Sequence, residues 1–169
     1  SLTAQFTARE VHKRYTLVTD RPVSRDEFTV VSAIVRAGDR YDSRPVAAGG
    51  EQAETRFRVL RREAGRTWLE AEPVTGRTPQ IRVHAAAEGL PILGDPLYGG
   101  AAASRLHLHA AALEFRHPRT GDSVRLELPP DFSTPPARQL RDALIDRTLT
   151  TAFRAVHGAA DGQRGRYRD

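Results

Sequence analysis

At 169 residues the chain has the length of one domain, with or without a tail. No stretch reaches the roughly 18 consecutive apolar residues that a membrane-spanning helix needs. Cysteine is absent, which removes disulfides, thiol nucleophiles and thiolate zinc sites together. Residues 1–6 carry no basic segment followed by an apolar one, so no signal peptide is read and a cytoplasmic protein is expected. Lys+Arg total 26 against 21 Asp+Glu, and every basic residue except Lys13 is arginine. Arginine's planar fork suits phosphate, which makes nucleic acid a candidate partner; a GC-rich coding sequence would enrich arginine equally well.

Taken in chain order, residues 11–18 alternate Tyr15 and Leu17 with Arg14 and Thr16 and are expected to form a strand. Residues 28–35 are a second, more continuously apolar strand candidate. Residues 36–50, rich in Gly, Asp, Arg and Ala, read as a loop. In "AETRFRVLRR", Ala53, Thr55, Phe57 and Val59 share one face, and Glu54, Arg56 and Arg58 share the other. "RTWLEAEP" follows across Glu63-Ala64-Gly65, which predicts an antiparallel hairpin. "RLHLHAAALEF" and "SVRLELP", separated by Pro118-Arg119-Thr120-Gly121-Asp122, predict another. Sequential hairpins with few helices make the expected fold α+β, a mixed and largely antiparallel sheet with flanking helices. After Pro135-Pro136, residues 137–156 have helical spacing at Leu140, Leu144, Ile145 and Leu149. The chain therefore divides into a domain over 1–132 and a helical tail or linker over 133–169.

Between the hairpins lies "VTGRTPQIRVHAAAEGLPILGDPLYGG". Thr78 fits as an N-cap with Pro79 as the first helical residue, and Gly89 fits as the stop. Ile81, His84, Ala85 and Glu88 then fall on one face, and Arg82 projects from the first turn. Arginines at a helix N-terminus oppose the macrodipole by a few tenths of a kcal/mol unless an anion is close. No acidic residue stands nearby in sequence, so Arg77 and Arg82 mark a candidate anion site.

These residues also carry a resemblance. The quoted stretch resembles the signature of RluA-type RNA pseudouridine synthases, G-R-T-H-Q-I-R-V-H followed by G-x-P-I-x-G-D-x-x-Y-G, departing from it at Pro79 and Leu90. "VHKRYTLV" resembles that family's K-x-Y strand, "AETRFRVL" its A-x-T-x-Y-x-V-L strand, and "LHLHAAALEFRHPRTGD" its L-H-A segment. The resemblance implies isomerisation of uridine to pseudouridine in rRNA or tRNA, with no cofactor and no metal. It implies that Tyr15 stacks on a flipped-out base and that Arg82 pairs with the catalytic aspartate. By the same matches Lys13, Arg77, Gln80 and Leu108 are expected at the RNA site; Arg77 and Gln80 are placed either to meet phosphate or to position the helix.

The family's aspartate sits in H-R-L-D-x-x-T-S-G, upstream of the K-x-Y strand, and residues 1–14 contain no aspartate. Asp39, Asp42, Asp95 and Asp122 lie in turn-like contexts, and the resemblance gives Asp95 a structural role. The expectation is a partial synthase domain, inactive as this chain, in which Arg82 is shaped for a carboxylate lying outside it. The alternative is a non-catalytic RNA-binding module, joined to an rRNA methyltransferase whose opening "AFRAVHGAADGQRGRYRD" weakly resembles. His84, His107 and His109 suggest a metal site only without a fourth ligand motif, and packing is the expected role. An open sheet edge is expected to favour a dimer.

Overall fold

A computed structural model describes residues 1–132, and the helix expected over 137–156 lies outside them. A short helix α1 (Leu2–Thr7) precedes β1 (His12–Thr19), β2 (Glu27–Ala37), β3 (Arg40–Arg44), β4 (Glu51–Glu63) and β5 (Arg66–Pro73). Helix α2 (Gln80–Ala87), a 3-10 turn at Pro96–Tyr98, β6 (Leu108–Arg116) and β7 (Ser123–Glu127) follow. The strands form one sheet in the order β3-β2-β4-β5-β1-β6-β7. All six neighbouring pairs are antiparallel.

Alternation decides which face is buried. Ala53, Thr55 and Phe57 of β4 are buried while Arg56 and Arg58 are exposed, as a strand with one covered face requires. Leu17, Phe57, Leu69 and Ala71 meet Ile81 and Ala85 of α2, with Leu90 and Ile92 from the segment after it. That single layer of helix and loop on one sheet face is the core. On the other face Arg14 reaches Glu70 at 3.8 Å and Glu127 at 3.0 Å, and Arg58 reaches Glu70 at 3.0 Å. Among the described residues, Arg14 and Arg58 are thus paired with carboxylates across strands.

Three local expectations are corrected. Residues 36–50 are not all loop: β3 pairs with β2 across a turn at Gly38-Asp39, which places Asp42 on a strand. The helix begins at Gln80 rather than Pro79, whose φ of -100° and ψ of 58° are not helical, and Thr78 makes no capping hydrogen bond. Helix α1 was not anticipated; Gln5 anchors it to β6 by donating to the Arg116 carbonyl at 2.7 Å and accepting from the Arg116 N–H at 2.8 Å.

The α2 stop follows the sequence reading. Gly89 has φ 72°, the Leu90 N–H donates to the Ala85 carbonyl, and the Gly89 N–H donates to the Ala86 carbonyl. That is the two-bond helix ending in which a left-handed residue is needed. The outer strands β3 and β7 are five residues each and carry charged side chains, and the Tyr41 N–H donates to the Tyr98 hydroxyl at 3.1 Å. Short, charged, partly satisfied edges resist pairing, so the dimer expected from an open edge draws no support from the described residues.

Candidate functional site

Tyr15, Lys13 and Leu17 occupy alternate positions of β1 and so share the core face. The Tyr15 ring packs at the margin of the core cluster, as does Leu108 from β6. Its cross-strand neighbours are Ala71 on β5 and Ala110 on β6; Ala71 is fully buried and Ala110 is exposed. Two alanines leave space beside the ring, and on the β6 side that space is open. The β1–β6 register slips between Arg14 and Tyr15, a bulge of the kind that re-aims a side chain. Burial raises the Tyr15 pKa above its ordinary value, so the phenol is protonated at neutral pH.

Arg82 has an acidic partner inside the chain. Its Nε donates to Asp95 Oδ2 and its Nη2 to Asp95 Oδ1, both at 2.7 Å. The expectation that its carboxylate lies only outside the chain is corrected by this pair. Asp95 is 1% exposed and is delivered by a loop locked onto β1: the Leu93 N–H donates to the Val18 carbonyl and the His107 N–H to the Leu93 carbonyl. Gly94 makes the approach possible, since φ is 79° and a Cβ there would stand 1.9 Å from the Arg105 carbonyl oxygen. The Arg82 guanidinium also lies 5.0 Å from the centre of the Tyr98 ring. The Asp95 hydrogen bond raises the Arg82 pKa. A bidentate pair of this geometry orients the guanidinium as well as neutralising it, and it leaves Nη1 out of the bond to Asp95.

Gln80 is 2% exposed and fully engaged. Its carbonyl accepts from Thr75 Oγ1 at 2.6 Å and the Arg77 N–H at 3.2 Å, while its amide donates to the Glu54 carbonyl at 2.7 Å and Thr55 Oγ1 at 2.9 Å. These bonds tie the turn before α2 to β4. Arg77 is exposed and forms an ion pair with Glu51 at 3.0 Å. Lys13 lies with Nζ 5.4 Å from the Phe6 ring centre and faces Gly76, in the loop that carries Arg77.

The histidines have local partners. His84 is fully buried between Ser32 Oγ at 3.0 Å and Thr55 Oγ1 at 2.8 Å, and burial takes its pKa down to about 4. His107 Nδ1 meets the Arg105 carbonyl and His109 Nε2 the Leu128 carbonyl, each at 2.9 Å. Both rings contact Phe132. Residues missed by sequence reasoning are Tyr98, Asp95 as the partner of Arg82, and the Ala71/Ala110 pair. Asp95 and Tyr98 were within reach, because both belong to the G-D-P-L-Y-G stretch already singled out.

Solved RNA pseudouridylate synthase domains have a similar fold. Human RNA pseudouridylate synthase domain containing 1 superposes with a TM-score of 0.66 at 26% identity, over 76% of this chain and 58% of that one. Human RNA pseudouridylate synthase domain containing 4 has the same fold, with a TM-score of 0.60 at 23% identity. The chain belongs to the RNA pseudouridylate synthase family, whose model matches residues 1–87. It is 43% identical over 121 residues to ribosomal large subunit pseudouridine synthase C of Yersinia pestis, covering 66% of this chain and 35% of that protein. It is 39% identical over 132 residues to the uncharacterized RNA pseudouridine synthase YlyB of Bacillus subtilis, covering 76% of this chain and 44% of that protein. The chain thus spans less than half the length of either relative.

Proposed function

We propose that this chain supplies the base-binding part of an RNA pseudouridine synthase that isomerises uridine in rRNA or tRNA, in the cytoplasm. The observation that carries the reading is the Tyr15 ring beside the exposed Ala110, with Leu108 on the same cluster, in a chain of this family. Flipping a base out of its stack costs a few kcal/mol, and an aromatic face offsets part of that. Tyr15 receives the flipped uracil, and Leu108 packs against its edge. Lys13 and Arg77 face the RNA backbone. Arg82, held by Asp95, presents its remaining N–H groups to the aspartate that acts on the nucleoside, which is supplied from outside this chain. The isomerisation breaks the N1–C1′ bond, forms C5–C1′, releases the C5 proton and leaves N1 to take up a proton from solvent; no cofactor is called for.

The test is binding of fluorescent single-stranded uridine-containing RNA, followed by anisotropy. Tyr15→Ala is expected to raise Kd about tenfold, since stacking on an aromatic ring contributes about 1–3 kcal/mol per base. An unchanged Kd, or no binding by the unmodified chain, contradicts the reading. A second reading, a non-catalytic RNA-binding module, is favoured by Arg82 already holding an internal carboxylate; release of the C5 proton separates the two.

A further inference from the structure

The turn that carries Asp95 carries a second group aimed at Arg82. Pro96, Leu97 and Gly99 of that turn are exposed, whereas Tyr98 between them is half-buried. Its ring packs on the cluster of Ile34, Ala53 and Val83, and the Arg82 guanidinium lies over the ring, 5.0 Å from its centre. The hydroxyl accepts from the Tyr41 N–H at 3.1 Å, so the far end of the ring is pinned to the edge strand β3. The turn itself has little freedom. The Asp95 N–H donates to the Ile92 carbonyl and the Gly100 N–H to the Asp95 carbonyl, and a Cβ at Gly100 would overlap the Ile92 oxygen.

These contacts restrain Arg82 in different directions. The two hydrogen bonds to Asp95 engage the Nε and Nη2 edge and fix the guanidinium within its own plane. A guanidinium held by one edge can still swing out of plane about that edge. An aromatic face against the planar cation opposes the swing, because arginine stacks on such faces by both charge and shape. Nη1, the nitrogen outside the Asp95 bonds, is the atom that the swing displaces most.

We infer that Tyr98 is a positioning residue: its ring, braced on β3, holds the Arg82 guanidinium flat so that Nη1 is aimed at the aspartate of the reaction. The assignment rests on the functional reading above and adds to it the group that sets the aim of Arg82. A misplacement of about 1 Å at a reacting centre costs about a hundredfold in rate, so loosening Arg82 lowers turnover rather than RNA binding.

The hold itself can be read without RNA. In 15N NMR spectra of the 169-residue chain, the Arg82 Nε–H is expected to exchange slowly with water and to show a nuclear Overhauser contact to the Tyr98 ring. Tyr98→Leu keeps an apolar side chain on Ile34, Ala53 and Val83 and is expected to speed that exchange about tenfold. Tyr98→Phe keeps the ring and is expected to leave the Arg82 resonance in place while the Tyr41 N–H exchanges faster. In a chain completed with the Arg-Leu-Asp segment, Tyr98→Leu is expected to lower kcat for tritium release from C5-labelled uridine about tenfold, with KM unchanged. Equal Arg82 exchange in wild type and Tyr98→Leu, or an unchanged kcat, overturns this inference alone. Should Tyr98→Leu fail to fold, the wild-type chain and Tyr98→Phe decide the matter: a ring without contact to the guanidinium, or an Arg82 resonance lost in Tyr98→Phe, overturns the inference. A completed wild-type chain that releases no tritium overturns the functional reading, and this inference with it, whatever the spectra show.

Discussion

Arg82 and Asp95 form the least exposed ion pair among the described residues, and their pairing has two consequences. Removing one member of such a pair strands the other, whereas exposed pairs of the kind seen on the opposite sheet face contribute about 0–1 kcal/mol. Asp95→Asn keeps the shape and one acceptor oxygen but removes the charge. It is expected to lower unfolding free energy by about 2 kcal/mol, measured by urea denaturation, and to release Arg82 from its fixed orientation. A variant as stable as wild type would show that the pair is not holding the loop. The pair was hidden from sequence reasoning for a physical reason. Asp95 lies thirteen positions beyond Arg82, past the helix stop and a tight glycine turn, and only the return of that loop onto β1 brings the carboxylate back to the first turn of α2.

At the scale of elements, Gln80 governs where α2 begins. Its side chain ties the turn before the helix to β4, accepting from Thr75 and Arg77 and donating to Glu54 and Thr55. A threonine cap at Thr78 was the natural reading of T-P-Q, yet the non-helical Pro79 hands the task to a buried amide one residue later. Gln80→Ala is expected to lose about 2–3 kcal/mol, because buried polar groups on two segments lose their partner, and to disorder the Arg77 loop. Amide hydrogen exchange at Arg77 reads the second effect: faster exchange is expected, and unchanged protection would contradict the role. Strands were legible where apolar and polar residues alternate, as in β1, β4 and β5. β3 was not, since Arg-Tyr-Asp-Ser-Arg is an edge strand with no apolar alternation, and its one signal was the two-residue Gly38-Asp39 turn.

At the scale of the molecule, one sheet carries two chemically different faces. The outer one spends arginines on cross-strand pairs, and the inner one carries Tyr15, Leu108 and the one lysine around the rim of the core. No described helix is long and apolar enough to cross a membrane. The most direct measurement of the central claim is tritium release from RNA labelled at uridine C5, with the chain completed by a polypeptide bearing the Arg-Leu-Asp motif. Release is expected from the completed chain, and none once Arg82→Ala is introduced. A completed chain that binds the RNA yet releases no tritium would contradict the claim.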